Sequence, residues 1–192
     1  MKIAMIADMH GDSLALNEAL VDIKSEGCDK IYCLGDMVDS KTAGTGVLDI
    51  IRDSNIPTVF GNHDFDLFDG YNDDIKHYLN ELPKSFSIGD AYLTHISPLN
   101  DEKIRNGDDA LGVFMETEHK IVFVAHNHFP YVFGYNGDVI EYDLPFIEPL
   151  VLDDIERYII CIGALGDRRE PPVPRQYTIF DTEQSTVKFK QY

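Results

Sequence analysis

The sequence predicts an α/β fold in which two mixed β-sheets pack together with helices outside. Residues 2–60 alternate strand-like and helix-like runs at the spacing of βαβ units. The second half consists mostly of short apolar runs joined by turn signals. A hydrophobic content of 44% over 192 residues suffices for one sizeable core, and a single domain over 1–192 is the expectation.

Each element has its own signal. "KIAMIA" (2–7) is a first strand that runs into "DMHGD". Leu16, Ala19, Leu20 and Ile23 then recur at helical spacing, with Asp12 or Ser13 as N-cap and Gly27 as the stop. "KIYCL" is a second strand, "GVLDIIRDS" a second helix and "TVF" a third short strand. A further helix is predicted over about 73–82, within a 65–84 segment rich in acids and aromatics that either walls a site or forms a surface helix. "SFSIGDAYLTHIS" reads as two short strands about a Gly-Asp turn, and "KIVFVA" as a buried strand. In "YVFGYNGDVIEYD" the pair Asn136-Gly137 predicts a hairpin with a type I′ turn. "RYIICIGAL" is another strand and "QYTIFDTEQSTVKFKQY" a closing hairpin.

Composition narrows the function. Sixteen basic against thirty-four acidic residues give a formal charge of −18. That field repels nucleic acid and anionic membranes, so neither is an expected partner. No run approaches the ~18 apolar residues of a membrane span. Cys28, Cys33 and Cys161 form no CxxC pattern, and two of them lie in apolar runs. An odd cysteine count with no signal-peptide pattern is the expectation for a cytoplasmic protein.

The polar residues collect where the strands end. Asp8 and His10 follow the first strand, Asp36 and Asp39 the second, and Asn62, His63 and Asp64 the third. His95 follows "AYLT", and His126, Asn127 and His128 follow "IVFVA". Five of the seven histidines stand at these ends; His77 and His119 do not. Ligands of α/β sheets bind beyond the carboxyl ends of strands, where loops converge. Burying so many polar groups without partners is costly, and a bound metal satisfies them together. Imidazole and carboxylate suit Mn, Fe, Zn, Ni or Co, and the lack of cysteine argues against a structural zinc knot. Residues i and i+2 of a strand point the same way, so Asp8 and His10 reach one centre, as do His126 and His128 if a turn splays them. One carboxylate can bridge two cations, a role that falls to Asp36; two such ions activate a water and clamp a phosphoryl group.

The ordered set "DMH", "GDMVD", "GNHD", the histidine of "LTH" and "AHNH" resembles the signature of the calcineurin-like metallophosphoesterase superfamily. The tail "GALGDRREPPVPRQY" is similar to a "GSVGQPR…Y" segment of its small bacterial and archaeal phosphodiesterase-type members, so the resemblance covers most of the chain. It implies a four-layer α-β-β-α sandwich and a dinuclear centre. Asp8, His10, Asp36 and His128 would hold one metal. Asp36, Asn62, His95 and His126 would hold the other, with Asn62 also facing substrate. His63 would stabilise the transition state or protonate the leaving oxygen, oriented by Asp64, and Asp39 would support Asp36 or a turn. Arg169 would contact phosphate or brace its loop.

The implied activity is metal-dependent hydrolysis of a small phosphorylated substrate, first of all a phosphodiester, with two divalent ions of which manganese is the first choice. Alternatives are a non-catalytic protein-binding scaffold on the same fold, a dinucleoside polyphosphate hydrolase and a nuclease. Two departures stand out. Ala125 occupies the place of a usual glycine, for which a slight loop adjustment is expected, and Asp167-Arg168 replaces the usual Gln-Pro.

Overall fold

The computed structural model describes residues 1–38, 46–65, 71–100, 102–144, 148–153, 156–166 and 174–191. Asp39, Arg168 and Arg169 therefore lie outside the described residues. The first strand, β1 (Lys2–Ile6), leads into α1 (Ser13–Ser25), β2 (Lys30–Cys33) and α2 (Gly46–Asp53). A short 3-10 turn (Asn62–Phe65) precedes α3 (Asp73–Asn80), β3 (Ser85–Ile88), β4 (Ala91–Thr94) and α4 (Gly107–Glu116). Seven strands follow: β5 (Ile121–Val124), β6 (Tyr131–Tyr135), β7 (Val139–Glu141), β8 (Leu150–Val151), β9 (Arg157–Cys161), β10 (Gln176–Asp181) and β11 (Thr186–Gln191). No helix among these residues is long and apolar enough to cross a membrane.

The strands form two mixed sheets, ordered β2-β1-β10-β11-β8 and β3-β4-β5-β9-β6-β7. Strand alternation sets the layers, because successive side chains leave opposite faces. Ala4 and Ile6 pack with Leu16 and Ile23 of α1, Val47 and Ile51 of α2, and Ile75 and Leu79 of α3. Their neighbours Ile3, Met5 and Ala7 face the second sheet, meeting Phe123, Ile160 and Ile162. The other face of that sheet, Val122, Val124, Ile159 and Cys161, is covered by Val113 and Phe114 of α4. The result is the expected α-β-β-α order.

Local chemistry explains the helix ends. Asp12 caps α1, its Oδ1 accepting from Ala15 N at 2.9 Å. Asn72 and Asn106 cap α3 and α4 in the same way, accepting from Ile75 N and Asp109 N. The far end of α1 is tied to β11, where Lys188 and Lys190 donate to Glu26 at 2.9 and 2.7 Å. These lysines lower the Glu26 carboxyl to about 2 against the opposing effect of partial burial. A depressed carboxyl contributes stability above its unfolded pKa and loses it as pH falls through the folded value. The wild-type protein should therefore lose this contribution between about pH 4.5 and 2, and Glu26→Gln should lack it. Chemical denaturation across that range should give curves that differ at pH 6 and converge near pH 2; parallel curves would contradict the assignment.

The structure differs from two expectations and adds two elements. The predicted strand "TVF" is a single parallel bridge, Cys33 to Thr58. Helix α4 was not anticipated, although Asn106, two early aspartates and the spacing Ala110, Val113, Phe114 are ordinary helix signals. Strand β8, two residues long, carries no readable period. The β6–β7 loop is not a type I′ turn: Tyr135 pairs with Val139, leaving three loop residues, of which only Gly137 has positive φ, at 117°. A type I′ turn needs positive φ at both central positions.

Candidate active site

The residues beyond β1 and β2 stay paired after the strands end. Asp8 N donates to Gly35 O, His10 N to Asp36 O and Gly11 N to Met37 O, at 3.1, 3.1 and 2.8 Å. Within this double loop, and again after β5, the backbone turns left-handed. Asp8, His10, Asp36, His126 and His128 have φ of 47–66°, and they are five of the seven non-glycine residues with positive φ among those described. Each such residue costs about 1–3 kcal/mol and persists only where its surroundings over-determine it. The strand alternation invoked for Asp8 and His10 is thus not what brings them together; a pair of left-handed residues past the strand end does so.

Several contacts hold the strand ends in register. Leu165 N and Gly166 N donate to Ala7 O and Asp8 O at 3.0 Å, pinning the "GALG" segment under the first loop. His126 N donates to Asp8 Oδ2 at 3.2 Å and Ala125 N to His95 O at 2.9 Å. Ala125 is buried in the core between the sheets without positive φ, so its methyl is accommodated. Gly35 and Gly61 lie back to back: a Cβ on Gly61 would come within 2.1 Å of Asp36 N. Only glycine permits this approach, which sets the third loop directly on Asp36.

Asp64 is the keystone of that contact. Its Oδ2 accepts from Gly61 N at 2.9 Å and Asp36 N at 3.1 Å, and its Oδ1 from Met37 N at 2.8 Å and Val38 N at 3.4 Å. The Asp64 carboxylate thus serves the backbone of the second and third loops. Burial and the neighbouring Asp36 charge push its carboxyl up to about 6, against the pull of these N–H groups. The backbone N–H of His63 donates to Asp36 Oδ1 at 2.8 Å, and its ring lies edge-on to His10, centroids 5.3 Å apart.

Two groups of metal-ligand type emerge, Asp8/His10/His128 and Asp36/His95/His126, with the donor atoms of each within 4.8 Å of one another. In the first, His10 Nε2 is 3.0 Å from His128 Nε2 and 3.8 Å from Asp8 Oδ1, while His128 Nε2 is 3.4 Å from Asp8 Oδ1. In the second, His95 Nε2 is 3.2 Å from Asp36 Oδ2 and 3.1 Å from Asn62 Oδ1. Donors bound at ~2.1 Å to one ion stand ~3.0–3.4 Å apart, so both groups fit a cation. Asp36 Oδ2 is buried with no hydrogen-bond partner among the described residues, and it is 4.0 Å from His10 Nε2 as well, which places it between the groups.

The electrostatics agree with this. Burial alone would raise the Asp36 carboxyl and lower the His95 imidazole. Their mutual attraction reverses both, holding Asp36 well below the usual carboxylate range and His95 above its ordinary value. The Nδ1–H of His95 donates to Leu34 O, which directs Nε2 at the donor group, the arrangement common for metal-binding histidine. Burial, then the charges of His95 and Lys103, lower His126 to about 4, so it is neutral at pH 7.

The model of the calcineurin-like phosphoesterase superfamily domain matches residues 1–185. The chain belongs to this family. It is a metallophosphoesterase, a metal-dependent phosphoric ester hydrolase, and the two donor groups are its candidate metal-ligand clusters. An uncharacterized protein of Methanocaldococcus jannaschii is 29% identical over 213 residues, covering 97% of this chain and 85% of the relative. The crystal structure of a metallophosphoesterase from Sphaerobacter thermophilus superposes with a TM-score of 0.83 at 27% identity, over 100% of this chain and 88% of that one. A hypothetical protein from Pyrococcus horikoshii shares the fold, with a TM-score of 0.70 at 19% identity, over 99% and 87% of the two chains.

A cleft of about 540 Å³ adjoins the second donor group of this phosphoesterase, reaching from Asn62, His95 and His126 to Lys84, Tyr92 and Leu99. Sequence reasoning singled out none of the last three, because a lysine before a strand or a tyrosine within one carries no distinguishing pattern. Among the described residues 71–84 of the acidic segment, Asp73–Asn80 form α3, whose Ile75 and Leu79 enter the core, and only Lys84 lines the cleft. Another cleft, of about 440 Å³, lies at the opposite ends of β4 and β5, around Ala91 and Ile121, and contains none of the donors.

Proposed function

We propose that the protein is a phosphodiesterase with a dinuclear centre that hydrolyses a small phosphate ester. Asp8, His10 and His128 would hold one divalent ion, and Asn62, His95 and His126 the other, with Asp36 bridging. The position of Asp36 Oδ2, 3.2 Å from one group's imidazole and 4.0 Å from the other's, carries this reading. Manganese is the first candidate, since nitrogen and oxygen donors without thiolate suit it among several first-row metals.

When bound, divalent ions supply Lewis acidity to the phosphoryl oxygens and lower the pKa of a water from about 15.7 to about 7. The protein's own contribution is placement. Asp64 holds the Asp36 loop by its backbone, and Asp36 Oδ1 in turn holds the His63 backbone. This sets the half-buried His63 ring beside the first donor group, where it donates a proton to the departing oxygen. In the net reaction the P–O bond to the alcohol breaks, the water oxygen bonds to phosphorus, and a proton ends on the alcohol. Arg169, outside the described residues, would contact phosphate or brace its loop.

Metal-stripped protein should bind two equivalents of Mn²⁺ and then hydrolyse bis-p-nitrophenyl phosphate. His63→Ala should still bind two equivalents, while turnover falls ~10²–10⁴-fold, the usual worth of a positioned general acid. Loss of metal in that variant would refute its assignment as a proton donor, and absence of turnover with Mn, Fe, Ni, Co or Zn would favour the scaffold alternative.

A further inference from the structure

The cleft beside the second donor group has an unusual polar lining for so acidic a chain. Although the sequence carries thirty-four Asp and Glu, none of the described residues lining the cleft is one of them. Two of its polar side chains are already positioned by accepting from nearby backbone. Ser97 Oγ already accepts from Leu99 N at 3.3 Å, and Asn100 Oδ1 from Glu102 N at 3.2 Å. The Ser97 hydroxyl proton and the Asn100 NH₂ are left to donate, beside one lone pair on each oxygen. The Lys84 ammonium, on an exposed residue, has no ion-pair partner among the described residues. Thr94, next to His95 at the end of β4, donates to Lys84 O at 3.3 Å and so fixes the main chain from which that lysine extends. The cleft therefore offers donors, one of them a cation, with no carboxylate among its described lining residues.

The rest of the lining is apolar. Phe60, Tyr92 and Leu99 contribute, and the Tyr92 ring is held by stacking on His119 at 4.0 Å. A volume of about 540 Å³ lies within the range of small-molecule sites and far exceeds what a bare phosphoryl group needs. We propose that the cleft holds the organic part of the phosphate ester, a planar group of nucleoside size that carries a second anionic group, and that Lys84, with Ser97 and Asn100, recognises this second anion. The inference rests on the phosphoesterase reading of the adjoining donors. It deepens that reading by naming a substrate class: esters with one phosphate at the metal ligands and another anion at Lys84.

The test compares two phosphodiesters that differ only in the second anion, the dinucleotide ApA and its terminally phosphorylated form pApA, with bis-p-nitrophenyl phosphate as a reference. KM and kcat are measured with Mn²⁺ for the wild type, Lys84→Ala and Lys84→Arg. In the wild type the terminal phosphate should lower KM about tenfold, the size of one charge-assisted hydrogen bond. Lys84→Ala should flatten or invert that ratio, because the neutral donors of Ser97 and Asn100 do not offset the acidic field that the added charge then meets, and Lys84→Arg should keep it. Equal KM values for ApA and pApA in the wild type, or an unchanged ratio in Lys84→Ala, would overturn the inference while hydrolysis of the reference left the phosphoesterase reading standing. No hydrolysis of any of the three substrates would overturn both.

Discussion

Asp64→Ala should destabilise the protein by about 3–5 kcal/mol, a larger loss than any other single side chain of the site should cause. The carboxylate accepts from four backbone N–H groups, those of Gly61, Asp36, Met37 and Val38. Its removal strands them in a buried position, and each unsatisfied donor costs about 1–3 kcal/mol. Two effects limit the total: a water can enter the space, and the repulsion between Asp64 and Asp36 disappears. Asparagine should rescue little. Each carboxylate oxygen serves two donors, and an amide would turn an NH₂ toward one of those pairs. Thermal unfolding of metal-free protein should fall by about 10 °C, given the ~2–4 °C per kcal/mol of a chain this size. A shift of only a degree or two in both variants would mean that the second and third loops are held together by something other than this carboxylate.

The largest catalytic loss is expected from Asp36→Asn. The amide oxygen can keep the bond that Oδ1 now accepts from His63 N at 2.8 Å, so the loop should survive. The NH₂ would then face His95 and His10 in place of Oδ2. On the proposed bridging role, bound metal should drop from two equivalents to one or none, and turnover of bis-p-nitrophenyl phosphate should fall ~10³-fold or more. A second readout needs no metal. The Asp36 charge is what raises His95 against the opposing effect of burial, so in the metal-free variant the His95 titration followed by NMR should move down. A variant that retained two metals and turned over within tenfold of wild type would end the case for a shared carboxylate.

Much of this centre is legible along the chain, and the reason is local. A strand that ends in a carboxylate or an imidazole announces itself through the contrast between an apolar run and a polar residue, and five such endings in one sequence are conspicuous. The layers follow from alternation in the same way, with Ile3 and Met5 on one face of β1 and Ala4 and Ile6 on the other. The weak points were elements that short-range pattern does not define. Thr58 makes only one bridge, β8 has two residues, and the β6–β7 turn took three residues where Asn-Gly suggested two.

Which residue types stand at the mouth of the sheets is written in the primary structure, because composition and spacing are properties of neighbours. Who touches whom there is not. That Asp64 serves the backbone of the Asp36 loop, that Gly61 lies against Asp36, and that Asp36 Oδ2 faces both imidazole groups are relations between segments 25 or more residues apart. The same holds for Lys84, an ordinary surface lysine by sequence, which becomes a feature of the site only when β4 sets it at the edge of the cleft next to His95. Packing decides such contacts, since they depend on how two sheets and five loops settle against each other and not on any one stretch of chain.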